Sequence, residues 1–324
     1  MRLALHWRAL EGGLGPDAPH GPSGDSVLDT FLGAAAAGGF SGVEARREDL
    51  LALGRRGGSR LARLFAQHGV CQAATDLGAD LDAPPAEFEA ACVAGERLAA
   101  LLRGLTNFGV GQPVLCVGAP AGEPPAGEAE PGPALRLERL RLLADLAASV
   151  GFTLLLDPAP GAATEPGDAA LARLRGWIAA AARRNLGLVF DCFLWAEPRA
   201  EPRAEQRAEP RAEQRAEPRA EQRAEPPGSL PHHAQADGPP SPVPGLRGLP
   251  LHCRLADRTV PGGAARLGPG RGGLDLAEAL RRLRGIDYAG YVSVDAPLGR
   301  GDAFAAARRC QREAEGLLRA ALGF

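Results

Sequence analysis

Eight short apolar runs are spaced along this chain, and longer stretches with helical periodicity separate them. The runs are LALHWR (3–8), GVEARR (42–47), VCQAATDL (70–77), PVLCVGA (113–119), FTLLLDP (152–158), GLVFDCF (187–193), LPLHCRLAD (249–257) and YVSVDAP (291–297). Between them, FEAACVAGERLAALLRGL, ALRLERLRLLADLAASV and DAALARLRGWIAAAARR place apolar residues three and four apart, the pattern of a helix with one buried face. A helix after each strand carries the chain back across the sheet, so successive strands run parallel. Eight such units in 324 residues predict a closed (β/α)8 TIM barrel ahead of an open doubly wound sheet. AFAAARRCQREAEGLLRAAL supplies the closing helix.

One connection departs from this alternation. From Ala196 to Pro227 the chain repeats AEPR or AEQR, ends on AEPP, and continues rich in Gly, Ser, Pro and His to Gly245. A period of four would pair Glu with Arg along a helix, but each interior proline removes a donor and costs about 3 kcal/mol. The expectation is a single barrel built from 1–195 and 246–324, with 196–245 a disordered low-complexity insertion after the sixth strand. An insertion there falls on the C-terminal face, where barrels carry their active sites.

Composition excludes several functions. The net charge of −2 is no electrostatic footprint for nucleic acid, and no apolar run approaches the roughly 18 residues of a membrane span. The start, MRLALHWRALEGG, has no long apolar stretch before a cleavage site, so a cytoplasmic location is expected. Every one of the 37 basic residues is Arg; without lysine there is neither a Schiff base nor a Walker-type phosphate loop. The six cysteines are scattered, with no C-x-x-C pair, and read as free thiols.

Candidate site residues are sought at the C-terminal ends of the strands. Asp157 ends the fifth, Asp191 the sixth and Asp295 the eighth, while His252 lies on the seventh with Arg258 just beyond. Acids gathered at one mouth repel each other unless a cation or proton intervenes. Oxygen ligands with one imidazole suit a divalent metal such as Mn²⁺, Mg²⁺, Co²⁺ or Zn²⁺, and a structural Arg partner is the alternative for Asp191.

GFSGVEARREDL, GLVFDCF, LHCRLADR and PGRGGLDLAEALRRLRGIDYAGYVSVD resemble, in order and spacing, the xylose isomerase-like TIM barrels, a superfamily of sugar phosphate isomerases and epimerases. The resemblance spans nearly the whole chain outside the insertion. It implies metal ligation by Asp157, Asp191, His252 and Asp295, proton transfer by Asp157 and Asp295, and a substrate contact from Arg258. Two family glutamates are aspartates here (Asp157 and Asp295), and Leu194 replaces a histidine. The implied activity is metal-dependent isomerisation or epimerisation of a small sugar or sugar phosphate through an enediolate. The alternatives are a related metal lyase of the inosose dehydratase kind and a non-catalytic barrel with a degenerate metal site.

Glu44 on the second strand and His6 and Trp7 on the first are further substrate-binding candidates. The loop after strand seven is expected to offer backbone amides to substrate, with Arg266 and Arg271 near it. Gly268, Gly270 and Gly273 match G-x-G-x-x-G, but no strand runs directly into the motif and Pro269 removes an amide, so dinucleotide binding is rejected. Asp275 and Glu278 form a D-x-x-E cap for the next helix. The expected partner is the small sugar or sugar phosphate, with no nucleic acid and no membrane; a homo-oligomer is allowed.

Overall fold

The computed structural model describes residues 1–10, 25–54, 58–107, 114–119, 131–158, 167–195, 246–259, 265–297 and 302–323. The expected insertion, 196–245, lies outside the described residues. Eight parallel strands close on themselves: β1 (Arg2–His6), β2 (Gly42–Glu44), β3 (Cys71–Asp76), β4 (Val114–Gly118), β5 (Leu154–Asp157), β6 (Leu186–Asp191), β7 (Leu251–Leu255) and β8 (Tyr291–Val294). Each pairs with its successor, and β8 returns to β1 with Ala4 opposite Ser293. This is the (β/α)8 barrel expected from the alternation.

The helices are α1 (Asp25–Gly38), α2 (Arg47–Gly54), α3 (Gly58–His68), α4 (Pro85–Asn107), α5 (Pro131–Ser149), α6 (Gly167–Ala181), α7 (Cys192–Trp195), α8 (Leu276–Gly285) and α9 (Ala303–Leu322). Among the described residues, none is long and apolar enough to cross a membrane. Asp275 caps α8 by accepting from the Glu278 amide at 2.9 Å, as its spacing predicts. The six cysteines are free.

Alternation along each strand divides the core in two. One set of strand residues, including Leu5, Val43, Leu115, Leu156, Leu188, Leu255 and Val294, packs outward against the helices. The other set faces the barrel axis, where Ala74, Cys116, Leu155 and Val189 form a small cluster of their own. Closure depends on close backbone approach as well as packing. A Cβ on Gly187 would lie 2.0 Å from the Pro250 carbonyl oxygen, so only glycine lets β6 sit beside the entry to β7.

The strands are shorter than their apolar runs, and at β6 and β1 local hydrogen bonds explain where they stop. The Asp191 carboxylate accepts from the Phe193 amide at 3.0 Å, which ends β6 and turns Cys192–Trp195 into a helical turn. Likewise His6 Nδ1 accepts from the Arg8 amide at 3.2 Å, and Trp7–Leu10 forms a 3-10 turn.

Candidate active site

Polar residues occupy the axis-facing positions one step above the apolar cluster. Cross-strand register sets His6 beside Glu44, Asp191 beside Arg254, and Arg254 beside Ser293. The β2–β3 register shifts between Val43 and Glu44, the kind of irregularity that re-aims a side chain near an active site. Glu44, His6, His252, Arg254, Asp191, Ser293 and Asp295 are all buried, and Asp157 is 24% exposed. Groups this polar remain inside only when they satisfy one another.

Arg254 does most of that work. Its guanidinium meets Glu44 through Nε at 3.1 Å and Nη2 at 2.5 Å, and donates to Asp157 through Nη1. His252 Nε2 lies 3.2 Å from Glu44 Oε2 and 2.9 Å from the Ser293 hydroxyl. A second arginine, Arg266, reaches in from the loop after β7. Its Nη2 is 2.5 Å and its Nη1 3.3 Å from the two Asp191 oxygens, and Nη1 is 3.1 Å from Asp295. Asp295 also receives Arg8 at 3.2 Å and faces His6 Nδ1 at 3.3 Å.

These contacts divide the carboxylates electrostatically. Burial alone would raise the pKa of Glu44, but Arg254, with His6 and His252, holds it well below the ordinary value. Asp295 follows the same pattern: burial opposes its charge, and His6, Arg266, Arg254 and Arg8 together lower its pKa. At Asp157 burial prevails over Arg254, and its pKa is raised. Asp157 combines partial solvent access with an upward shift, as does Asp76 at the end of β3, where burial again raises the pKa; this is the profile of a proton-transfer group.

The expected metal ligands do not fit a shared ion in this arrangement. Asp157 is taken by Arg254, both Asp191 oxygens by Arg266, and His252 Nε2 by Glu44 and Ser293. Asp295 Oδ1 is a buried oxygen without a hydrogen bond, but its second oxygen is shared by Arg8 and Arg266. Among the described residues, no group of three or more His, Cys, Asp or Glu side chains is arranged to hold a metal.

The rim combines aromatic faces with cations. Trp7 lies beneath the guanidinium groups of Arg8 and Arg46, at 5.4 and 5.6 Å from its ring centre, and Phe193 carries Arg266 at 4.6 Å and Arg258 at 5.5 Å. Arg258 Nε is buried without a hydrogen bond. Arg271 does not join this group: it pairs with Glu313 on α9 at 2.7 Å. Several amides of the 268–274 loop are committed within the loop and to Asp257. Asp257, fully buried, accepts from the amides of Gly272 at 2.8 Å and Leu274 at 3.1 Å, and the Gly273 amide donates to the Arg258 carbonyl. A Cβ on Gly272 would lie 2.4 Å from Asp257 Oδ1, so glycine is what lets the loop wrap that carboxylate.

Arg254 and Ser293 were not among the sequence candidates. The signal for Arg254 was present, since in LHCRL it stands two residues from His252 and must share its face. Arg266 was legible only as a loop residue near the site; its double contact with Asp191 and Asp295 depends on how the loop returns.

A closed parallel barrel with an acid–arginine cluster at its C-terminal mouth defines a (β/α)8 protein whose polar cluster lies on the face where such barrels carry their active sites. The chain belongs to the xylose isomerase-like TIM barrel family, whose profile matches residues 32–319. Among solved structures it is similar to a xylose isomerase domain protein from Alicyclobacillus acidocaldarius, with 19% identity, a TM-score of 0.63 and 100% of both chains covered. It is also similar to a 3-keto-D-glucoside 4-epimerase from E. coli, with 15% identity, a TM-score of 0.57 and 98% of both chains covered. A D-psicose 3-epimerase from Clostridium cellulolyticum H10 shares 15% identity at a TM-score of 0.54, covering 100% of this chain and 99% of that one. No curated protein sequence matches the chain.

Proposed function

We propose that this barrel interconverts isomers or epimers of a small sugar or sugar phosphate by proton transfer at a carbon next to a carbonyl. The single observation that carries the reading is the convergence of Asp157, Glu44, Asp191 and Asp295 with two guanidinium groups at the mouth of a barrel from this family. The epimerase neighbours make the carbohydrate class the natural one to test.

In this reading the Asp157 carboxylate takes the C–H proton, the C–H bonding pair forms the enediolate carbon–carbon double bond, and the carbonyl oxygen gains the negative charge. Asp157 then returns that proton to carbon, and the pair in the double bond re-forms a C–H bond as the oxygen regains its carbonyl. Arg254, fixed by Glu44, faces that oxygen with a pre-oriented positive charge, and such preorganised donors stabilise charge that develops in the transition state. No step requires the metal suggested by the family resemblance, because the ligand set does not fit one. Arg258, whose Nε is buried without a hydrogen bond, and the partly exposed Arg8 at the rim favour a phosphate or carboxylate substituent.

The test is deuterium uptake. Ketoses, aldoses and their phosphates are incubated with the protein in D2O and followed by NMR at the carbon beside the carbonyl. The expected result is exchange with at least one substrate, reduced by about 10²-fold or more in Asp157→Asn. No exchange across the panel overturns the reading. A second reading, a barrel that binds carbohydrate without turnover, is favoured by the ion pairing of Asp157, Glu44, Asp191 and Asp295; a sugar that raises Tm without exchanging deuterium would select it.

A further inference from the structure

We infer that Arg254 and Arg266 are the resident counter-cations of this barrel, so that the protein folds and holds its site without a divalent metal. The two guanidinium groups divide the acids between them. Arg254 bridges β2 and β5 through Glu44 and Asp157, while Arg266 bridges β6 and the end of β8 through Asp191 and Asp295. Each acts across the barrel, which is where a shared metal ion would otherwise tie strands together.

Three observations make this a built arrangement. Arg254 arises from the strand itself, two residues after His252 on the same face, so its place is set by β7 rather than by a mobile loop. Its side chain is 5% exposed, and a guanidinium taken that far from water must keep its carboxylate partners. Arg266 is held from behind by the Phe193 ring, and its loop is held by Asp257 through the Gly272 and Leu274 amides. A divalent ion at these carboxylates would have to displace both guanidinium groups or sit against two like charges. Guanidinium cannot make room by losing its proton, as an ammonium could.

The inference shares the site of the proposed reaction but not its chemistry, so its test reads metal rather than turnover. Wild-type protein purified without chelator is analysed for bound metal. Its Tm is then measured with EDTA, and with Mn²⁺ or Co²⁺ at about 1 mM, where a ligand bound to the native state stabilises by mass action. The expected wild-type result is less than about 0.1 equivalent of metal and no change in Tm. Arg266→Met keeps an apolar stem on Phe193, releases Asp191 from its guanidinium and leaves Asp295 to Arg8 and His6, and it is expected to gain a metal-dependent rise of roughly 5 °C. Stoichiometric metal in the wild type, or a wild-type Tm that falls with EDTA and rises with Mn²⁺, overturns the inference. A folded R266M protein that ignores metal overturns it too, since Arg266 would not then be what balances those acids. Should R266M fail to fold, the wild-type metal content decides alone.

Discussion

Glu44 lies at the centre of the mouth, touched by Arg254, His252 and His6, and its charge is maintained by those neighbours. Removing one member of a buried ion pair leaves the other uncompensated, at a cost of about 3–5 kcal/mol. Glu44→Gln is therefore expected to lose about that much stability at pH 7 by urea denaturation. The sign of the pH dependence follows from the lowered pKa. Glu44 contributes stability that is complete above its unfolded value, near about 4.3, and lost as pH falls through the lower folded value. The difference between wild type and E44Q should thus narrow on acidification below about pH 4. Asp157 works in the opposite sense: its raised pKa gives a contribution present below the unfolded value and lost as pH rises through the folded one. A gap that is unchanged between pH 7 and pH 3 would show that Glu44 carries no such linkage.

At the scale of elements, the strand is the unit that determines which side chains meet. Asp157, Asp191 and Asp295 could be located from the sequence because each ends an apolar run, and a parallel barrel sends all such ends to one face. The identity of their partners was less accessible. Arg254 follows from two-residue alternation along β7, but Arg266 arrives through a loop whose path is set by Asp257, Gly272 and Leu274. Local periodicity says nothing about such a return. For the same reason, sequence alone offers loop amides and Arg271 to a substrate, whereas the Gly272 and Leu274 amides serve Asp257 and Arg271 pairs with Glu313. Strand contact also makes Gly187 exacting. In Gly187→Ala the new methyl would collide with the Pro250 carbonyl, which belongs to backbone and cannot rotate away. A loss of about 3 kcal/mol or more is expected, measured by denaturant midpoint, because β6 and β7 must separate to accept it. A near-neutral alanine variant would mean the strands part there at little cost.

For the whole molecule, the strand ladder that closes the barrel is complete among the described residues. β6 and β7 pair directly over four residue pairs, Leu188 with Leu251 through Asp191 with Arg254, and Leu246 is already fully buried where the described chain resumes. Replacing 198–243 with a Gly/Ser linker of about ten residues is expected to leave Tm within about 2 °C, since loop-closure entropy varies only slowly with length. A drop well beyond that would mean that the AEPR/AEQR segment packs on the barrel. The sequence by itself determined the eight-fold alternation, the direction of the strands and the face to which their acids point, because periodicity and chain connectivity are local properties. Only tertiary structure decided what neutralises those acids. Charge balance in a buried site depends on residues distant in sequence that arrive within 3–4 Å of one another, and here two arginines, one on a strand and one on a loop, arrive at the positions where a metal had been expected.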